Sequence, residues 1–159
     1  MKKNLKNQGF GLIEIIIVVA IVSLAFGALG GLGNYSLKIS NRLKNQIIAT
    51  NLAAEIIEAA KAVKDENWNI LAGLSLETPF HPEKTGPPQK WTLASDSENL
   101  NRFSRQAVLS QVFRDVNDNI APTGTLDSNT KKITATVSWT EDGQNRQISL
   151  TAYLTNWKP

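Results

Sequence analysis

Twenty-three consecutive residues, 15–37, carry no charged side chain. A helix that crosses a bilayer needs about 20 apolar residues, each rising about 1.5 Å, so this run is long enough to span. Lys2, Lys3 and Lys6 stand before it, with no acid among the first nine residues. That asymmetry predicts a cytoplasmic N-terminus and a C-terminal bulk on the other side. Glu14 is the only charge between Lys6 and Lys38. A charge at the centre of a spanning helix costs about 2.5–3.5 kcal/mol, less near an end. One reading of the segment is a secretory signal peptide cut near Ala28-Leu29-Gly30. Such a signal gains nothing from Glu14.

The string Gly9-Phe10-Gly11-Leu12-Ile13-Glu14 supplies the second reading. It resembles the type IV prepilin leader, in which a short basic leader ends in Gly, followed by Phe and by Glu at the fifth mature position. Cutting after Gly9 puts Glu14 at that place. Gly11 departs from the Thr common in the family, at a position that tolerates variation. The resemblance implies leader cleavage between Gly9 and Phe10 by a prepilin peptidase/methyltransferase at the inner membrane, and N-methylation of Phe10. The helix kept after cleavage would serve first as membrane anchor and then as filament core. It also implies an assembly role for Glu14, pairing with an N-terminal amine of its own or a neighbouring subunit, because a buried carboxylate needs a partner. Snorkelling of Glu14 to the interface is the plainer alternative.

No proline occurs before Pro79, so one helix over about residues 10–64 is allowed, roughly 80 Å if unbroken. Its weak point is Gly27, Gly30, Gly31 and Gly33, each about 1 kcal/mol worse than Ala. Pilin relatives often carry a helix-breaking Pro here, and the glycines could supply the same softness. Equally, Gly27-x-x-x-Gly31 could permit close helix packing. Beyond Lys38 the helix is amphipathic: Ile48, Leu52, Ile56, Ala59, Ala60 and Val63 share one side, widened by Ala49, Ala53 and Ile57. Asn51, Glu55, Glu58, Lys61 and Asp65 share the other, with Ile47 unassigned among them. Such a wide apolar face suits a helix that covers a sheet and also meets other helices.

Residues 70–101 read as loop-rich because Pro79, Pro82, Pro87 and Pro88 punctuate them, with a short strand over 90–93. Residues 103–113 read as a strand, and 115–130 as polar and turn-prone. Ile133, Ala135, Val137 and Trp139 then alternate with threonines and a serine, the period of a strand. Asp142-Gly143 predicts a type I′ turn, opposing Trp139 to Arg146, Val137 to Ile148, Ala135 to Leu150 and Ile133 to Ala152. The expected fold is α+β and pilin-like, one long N-terminal helix on a small antiparallel sheet. Residues 1–9 are a removable leader, 10–37 the transmembrane or filament-core helix, 38–68 its amphipathic continuation, and 69–159 a β-rich domain with a hairpin over 132–155. Many pilins close this region with a disulfide; this chain has no Cys and relies on packing.

Without Cys, thiolate zinc sites and cysteine nucleophiles are excluded, and one His excludes a histidine-rich metal centre within one chain. His81, in Phe80-His81-Pro82, reads as an exposed loop residue. Glu55 and Glu58 imitate a catalytic carboxylate pair but read as a solvated face beside Lys61. Asp115-x-Asn117-x-Asn119 opens like a calcium loop. Ile120 and Leu126 stand where an EF-hand needs Gly and Glu, leaving only an irregular site from Asp115, Asp118 and Asp127. Trp68, Trp91, Trp139 and Trp157 could stack a ligand; Trp139 and Trp157 read instead as core cover. Lys131 with Lys132, and Arg102 with Arg105, read as ordinary surface charge rather than a nucleic-acid patch. No phosphate-binding Gly loop or Ser-centred elbow appears.

The expectation is therefore a non-enzymatic chain with no cofactor: a minor pilin in a cell-surface type IV pilus or related filament, meeting other pilin subunits and an assembly platform. A pseudopilin of a type II secretion or DNA-uptake machine uses the same assembly chemistry. A membrane-tethered binding module that never polymerises is the alternative from another class. Charge sharpens this. The chain has 17 basic and 14 acidic side chains, net +3, and losing the leader's three lysines leaves 14 of each. The excess basicity belongs to the leader, where it orients a helix, and implies no nucleic-acid partner.

Overall fold

A computed structural model describes residues 11–156 of the chain. Helix α1, Leu12–Glu66, is continuous, as the absence of proline allows, and runs unbroken through all four glycines. Contacts divide the chain into two units, residues 1–43 and 44–159. In the first, every described side chain from 11 to 43 is exposed. In the second, α1 lays Ala49, Ala53, Ile56, Ala60 and Val63 against a sheet. The spacing of four, three, four and three residues is the stripe a 3.6-residue helix turns to one side. Ile47 is 61% exposed: it belongs to the outer side of the helix, where the sequence placed it.

Asn67 ends α1. Its backbone turns extended, and its side chain accepts the Asn69 N–H at 2.9 Å, capping a short second helix, α2, Trp68–Ala72. Seven strands follow: β1 Phe80–Thr85, β2 Lys90–Ser95, β3 Glu98–Leu100, β4 Phe103–Arg114, β5 Ile120–Ala121, β6 Thr125–Glu141 and β7 Gln144–Thr155. They form one antiparallel sheet in the order β2-β1-β4-β6-β7, with β3 and β5 also paired to β4. The fold is α+β with the pilin-like layout, one long N-terminal helix packed on an antiparallel sheet. The core lies between α1 and the sheet, where Ile56, Leu71, Leu109, Ile133 and Val137 are fully buried.

The C-terminal hairpin has the expected register, with Trp139↔Arg146, Val137↔Ile148, Ala135↔Leu150 and Ile133↔Ala152. Asp142 and Gly143 both take positive φ, 52° and 73°, as a type I′ turn requires. Two expectations need correction. Residues 70–101 are not mainly loop, since three strands lie there. Pro82 sits inside β1 because β1 meets β4 only at Phe80↔Ala107; beyond that point its second edge forms no ladder, where a proline is tolerated. Residues 125–130 belong to β6, and the turn-prone stretch ends earlier. After a register shift at Gln111/Val112, Asp127, Leu126 and Thr125 pair with Val112, Phe113 and Arg114. Pairing with a long neighbour outweighs weak strand propensity.

Candidate functional site

Two constellations carry the polar chemistry, one in each unit. In the first, Gly11 occupies the N-cap of α1 and Glu14 the third helical position. Glu14 Oε2 accepts the Gly11 N–H at 3.0 Å, while Gly11 O accepts from Glu14 N–H, also at 3.0 Å. This is the carboxylate half of a capping box, and it satisfies one of the donors that a helix start leaves unpaired. The acid also sits at the positive end of the helix dipole. Glu14 thus has a local hydrogen-bonding partner and borders a shallow depression of about 220 Å³ shared with Ile15, Val18 and Val19.

Along the same helix, Leu12, Leu24 and Phe26 are 75%, 76% and 70% exposed. Ser23 turns its hydroxyl back to Val19 O at 2.7 Å, which removes the need for water. A Cβ on Gly27, Gly30, Gly31 or Gly33 would meet no atom within 4 Å, so nothing in this chain presses on them. The helix is long and apolar enough to cross a membrane. Gly9 and Phe10, assigned to cleavage and methylation, lie outside the described residues, as does Trp157.

The second constellation pins α1 to the sheet. Arg105 is 5% exposed. Its guanidinium donates to Glu98 at 2.6 Å, to Glu55 at 3.0 Å and to Pro82 O at 3.4 Å. One cation therefore joins α1, β1, β3 and β4, and fills the gap where β1 and β4 diverge. This corrects two expectations together. Arg105 is not surface charge, and Glu55, though partly exposed, is tied to it rather than only solvated; Glu58 is exposed. At the other end of the seam, buried Asn45 donates to Glu141 at 2.6 Å and accepts from Arg102 at 3.5 Å. Arg102 also donates to Thr140 O at 3.4 Å. No amphipathic pattern reveals such pairs, because each joins residues distant in sequence.

Asp118 and Asp127 flank the Arg114 guanidinium, while Asp115 turns to the backbone of its own loop. Arg114 Nε lies 2.7 Å from Asp127 and 3.6 Å from Asp118. The Arg114 hydrogen bond, joined by Thr130 and the Asn129 N–H, holds the Asp127 carboxyl below its usual range. Asp115 is lowered too, first by the Asn119 N–H and then by the Asn117 N–H, so it serves as the internal brace of a turn. Among the described residues, no group of three or more His, Cys, Asp or Glu side chains could hold a metal.

His81 is half-buried in β1 with Nδ1 3.1 Å from Asp96 O, a correction to its reading as an exposed loop residue. Trp139 is buried against Phe103, ring centroids 5.8 Å apart, and Trp68 is partly buried against the core. Trp91 lies under the Lys84 ammonium at 4.4 Å. Lys131 and Lys132 are half-buried on β6.

The N-terminal constellation is the one with a recognised counterpart. Residues 4–30 match the family model of the prokaryotic N-terminal methylation motif. The chain carries the leader signature of type IV prepilins. That motif marks chains of the kind processed by prepilin peptidase and assembled with other pilins, and the apolar helix that follows it here fits membrane anchoring. No curated protein and no solved structure matches the chain significantly.

Proposed function

We propose that this prepilin-type chain is a non-enzymatic structural subunit, a minor pilin, of a type IV pilus or pilin-like filament. The observation that carries the reading is the continuity of the methylation motif with an apolar helix whose side chains find no cover within their own chain. Water is a poor solvent for that surface, so it requires lipid before assembly and neighbouring helices after it. In this reading the leader lysines hold the N-terminus in the cytoplasm, cleavage after Gly9 exposes the Phe10 amine for methylation, and the globular part lies outside. Glu14 exchanges the Gly11 N–H for an N-terminal amine as the subunit docks, so misdocking leaves a carboxylate unpaired in an apolar setting.

Intact mass and N-terminal sequencing of the protein from its native host test this. The expected mature chain starts at Phe10 and carries one added methyl. A chain starting near Leu32, or retaining Met1, overturns the assignment.

A further inference from the structure

Arg105 and Arg114 are held by acids on neighbouring elements. Lys132 is not. Among the described residues its ammonium, the Tyr153 hydroxyl and the Gln111 amide make no hydrogen bond or ion pair. All three line one cleft of about 370 Å³, a volume within the range of about 300–1,000 Å³ typical of small-ligand sites. Lys132 and Tyr153 are directly opposed across β6 and β7, which sets their Cβ atoms about 4.5–5.5 Å apart. Their chain neighbours Ile133 and Leu154 are buried in the core under α1, so strand alternation turns Lys132 and Tyr153 to the outer face of the sheet. Gln111 reaches the same cleft because the register shifts between Gln111 and Val112, and a bulge re-aims side chains out of strict alternation. Ile120 and Pro122 form the far wall. That wall is braced from behind. Arg114 Nη1 donates to Asp118 O at 2.8 Å, and the Asp115 carboxylate accepts the Asn117 and Asn119 N–H groups at 2.8 and 2.9 Å. A pre-formed wall reduces the ordering that binding must impose.

We propose that this cleft binds a uronic acid unit of an acidic polysaccharide, its carboxylate against Lys132, one face of its ring on Tyr153 and its hydroxyls at the Gln111 amide. The charge selects an anion, because among the described residues the lining holds one cation and no acid. It selects a carboxylate over a phosphate, which favours guanidinium forks or a helix N-terminus; the lining has neither. Tyr153 is 47% exposed, so a flat aromatic surface is open to the apolar face of a sugar ring. Beyond it the same face of the sheet continues through Thr134↔Thr151 and Thr136↔Ser149, hydroxyl after hydroxyl, on which adjoining sugar units can lie. An acidic peptide fits less well. Peptides dock on a free strand edge or in an apolar groove, whereas this cleft offers polar side chains on the face of a sheet. The inference does not rest on the filament assignment.

Calorimetric titration tests this on the full chain, purified in uncharged detergent, with trimers of galacturonate, glucuronate and mannuronate. At least one trimer should bind saturably, and its methyl ester, the same ring without the charge, at least about tenfold more weakly. Lys132→Gln should weaken binding by a similar factor with unchanged thermal unfolding, and Lys132→Arg should keep most of it. Tyr153→Thr removes the ring while keeping strand propensity and should also weaken binding, whereas Tyr153→Phe should bind more tightly than Tyr153→Thr. Lys131 pairs with Leu154 and so belongs to the opposite face; Lys131→Gln should leave binding unchanged. Three results overturn the site: no trimer binds, the methyl ester binds as tightly as the acid, or Lys131→Gln weakens binding as much as Lys132→Gln. A glutamate-rich peptide of equal charge that binds as tightly as the best trimer overturns the choice of a sugar.

Discussion

One helix, α1, does two jobs with two vocabularies. Over residues 12–43 its large apolar side chains, mostly Ile, Val, Leu and Phe, all face outward. Over residues 44–66 the inward stripe is dominated by Ala49, Ala53, Ala59 and Ala60, each at 0% exposure, with Ile56. Large apolar side chains maximise the surface withdrawn when an external apolar medium covers them. Small ones let a helix backbone lie close to a sheet whose own Leu109, Ile133 and Val137 fill the space. The first half is unfinished without something outside the chain; the second is finished by the chain itself.

The comparison breaks most completely at Glu14. Glu14→Ala should abolish filament incorporation while precursor accumulates in the membrane, read by immunoblot of sheared surface filaments against membrane fractions. Undiminished incorporation would remove the assembly role. Glu14→Gln keeps an acceptor for the Gly11 N–H but loses the charge, so it should also fail if pairing with an amine is what matters.

In the second unit the largest effect belongs to Arg105. The double change Glu55→Ala with Glu98→Ala leaves a buried guanidinium without a counter-ion and should cost about 3–5 kcal/mol, measured by denaturant unfolding. Mutating the exposed Glu58 to Ala should change stability by less than about 0.5 kcal/mol.

Glycine distinguishes the halves more finely. Gly124 has φ +147° and a Cβ there would stand 2.1 Å from Arg114 O. Gly124→Ala should therefore destabilise the domain by at least about 1–3 kcal/mol, the usual cost of a sparsely populated backbone conformation. Gly30→Ala meets open space and should strengthen α1 by about 1 kcal/mol, visible as slower amide exchange. If softness at the glycines serves assembly, the same change should impair incorporation.

The smallest expected effect is acid sensitivity. Asp115 and Asp127 have carboxyl pKa values lowered in the folded state, so the unfolded chain binds their protons first as pH falls. Their stabilisation is complete above the ordinary carboxylate value near 3.9 and is lost as pH drops through the folded values. Asp127→Asn should flatten the acid limb of the stability profile below about pH 4 without shifting the neutral plateau's shape. An unaltered acid limb would show that the Arg114 contact contributes nothing.

Legibility followed range of interaction. The spanning run, the leader motif and the hairpin register depend on residues near one another in sequence, and all were readable. Glu55, Glu98 and Arg105 each look like surface charge in their own segments; only the sheet order brings them within 3.0 Å. The strand at Phe80–Thr85 was obscured by Pro82, since composition does not reveal which strand edge is free of a ladder. The calcium-like spacing at Asp115 builds a turn, its carboxylate accepting the Asn117 and Asn119 N–H groups, while Arg114 takes Asp118 and Asp127.

By itself, the sequence determined the leader signature, the membrane-competent helix and the absence of thiol chemistry, because charge, hydropathy and residue type act without long-range help. It also determined that the side chains after residue 9 balance to zero charge, 14 basic against 14 acidic. Only the tertiary structure decided which glutamate is solvated and which is tied to Arg105. It alone revealed that Asp118 and Asp127 flank Arg114 and that β7 stands last in the strand order. Those outcomes depend on which strands become neighbours, and neighbourhood across a sheet is set by packing the whole chain against one helix rather than by any local pattern.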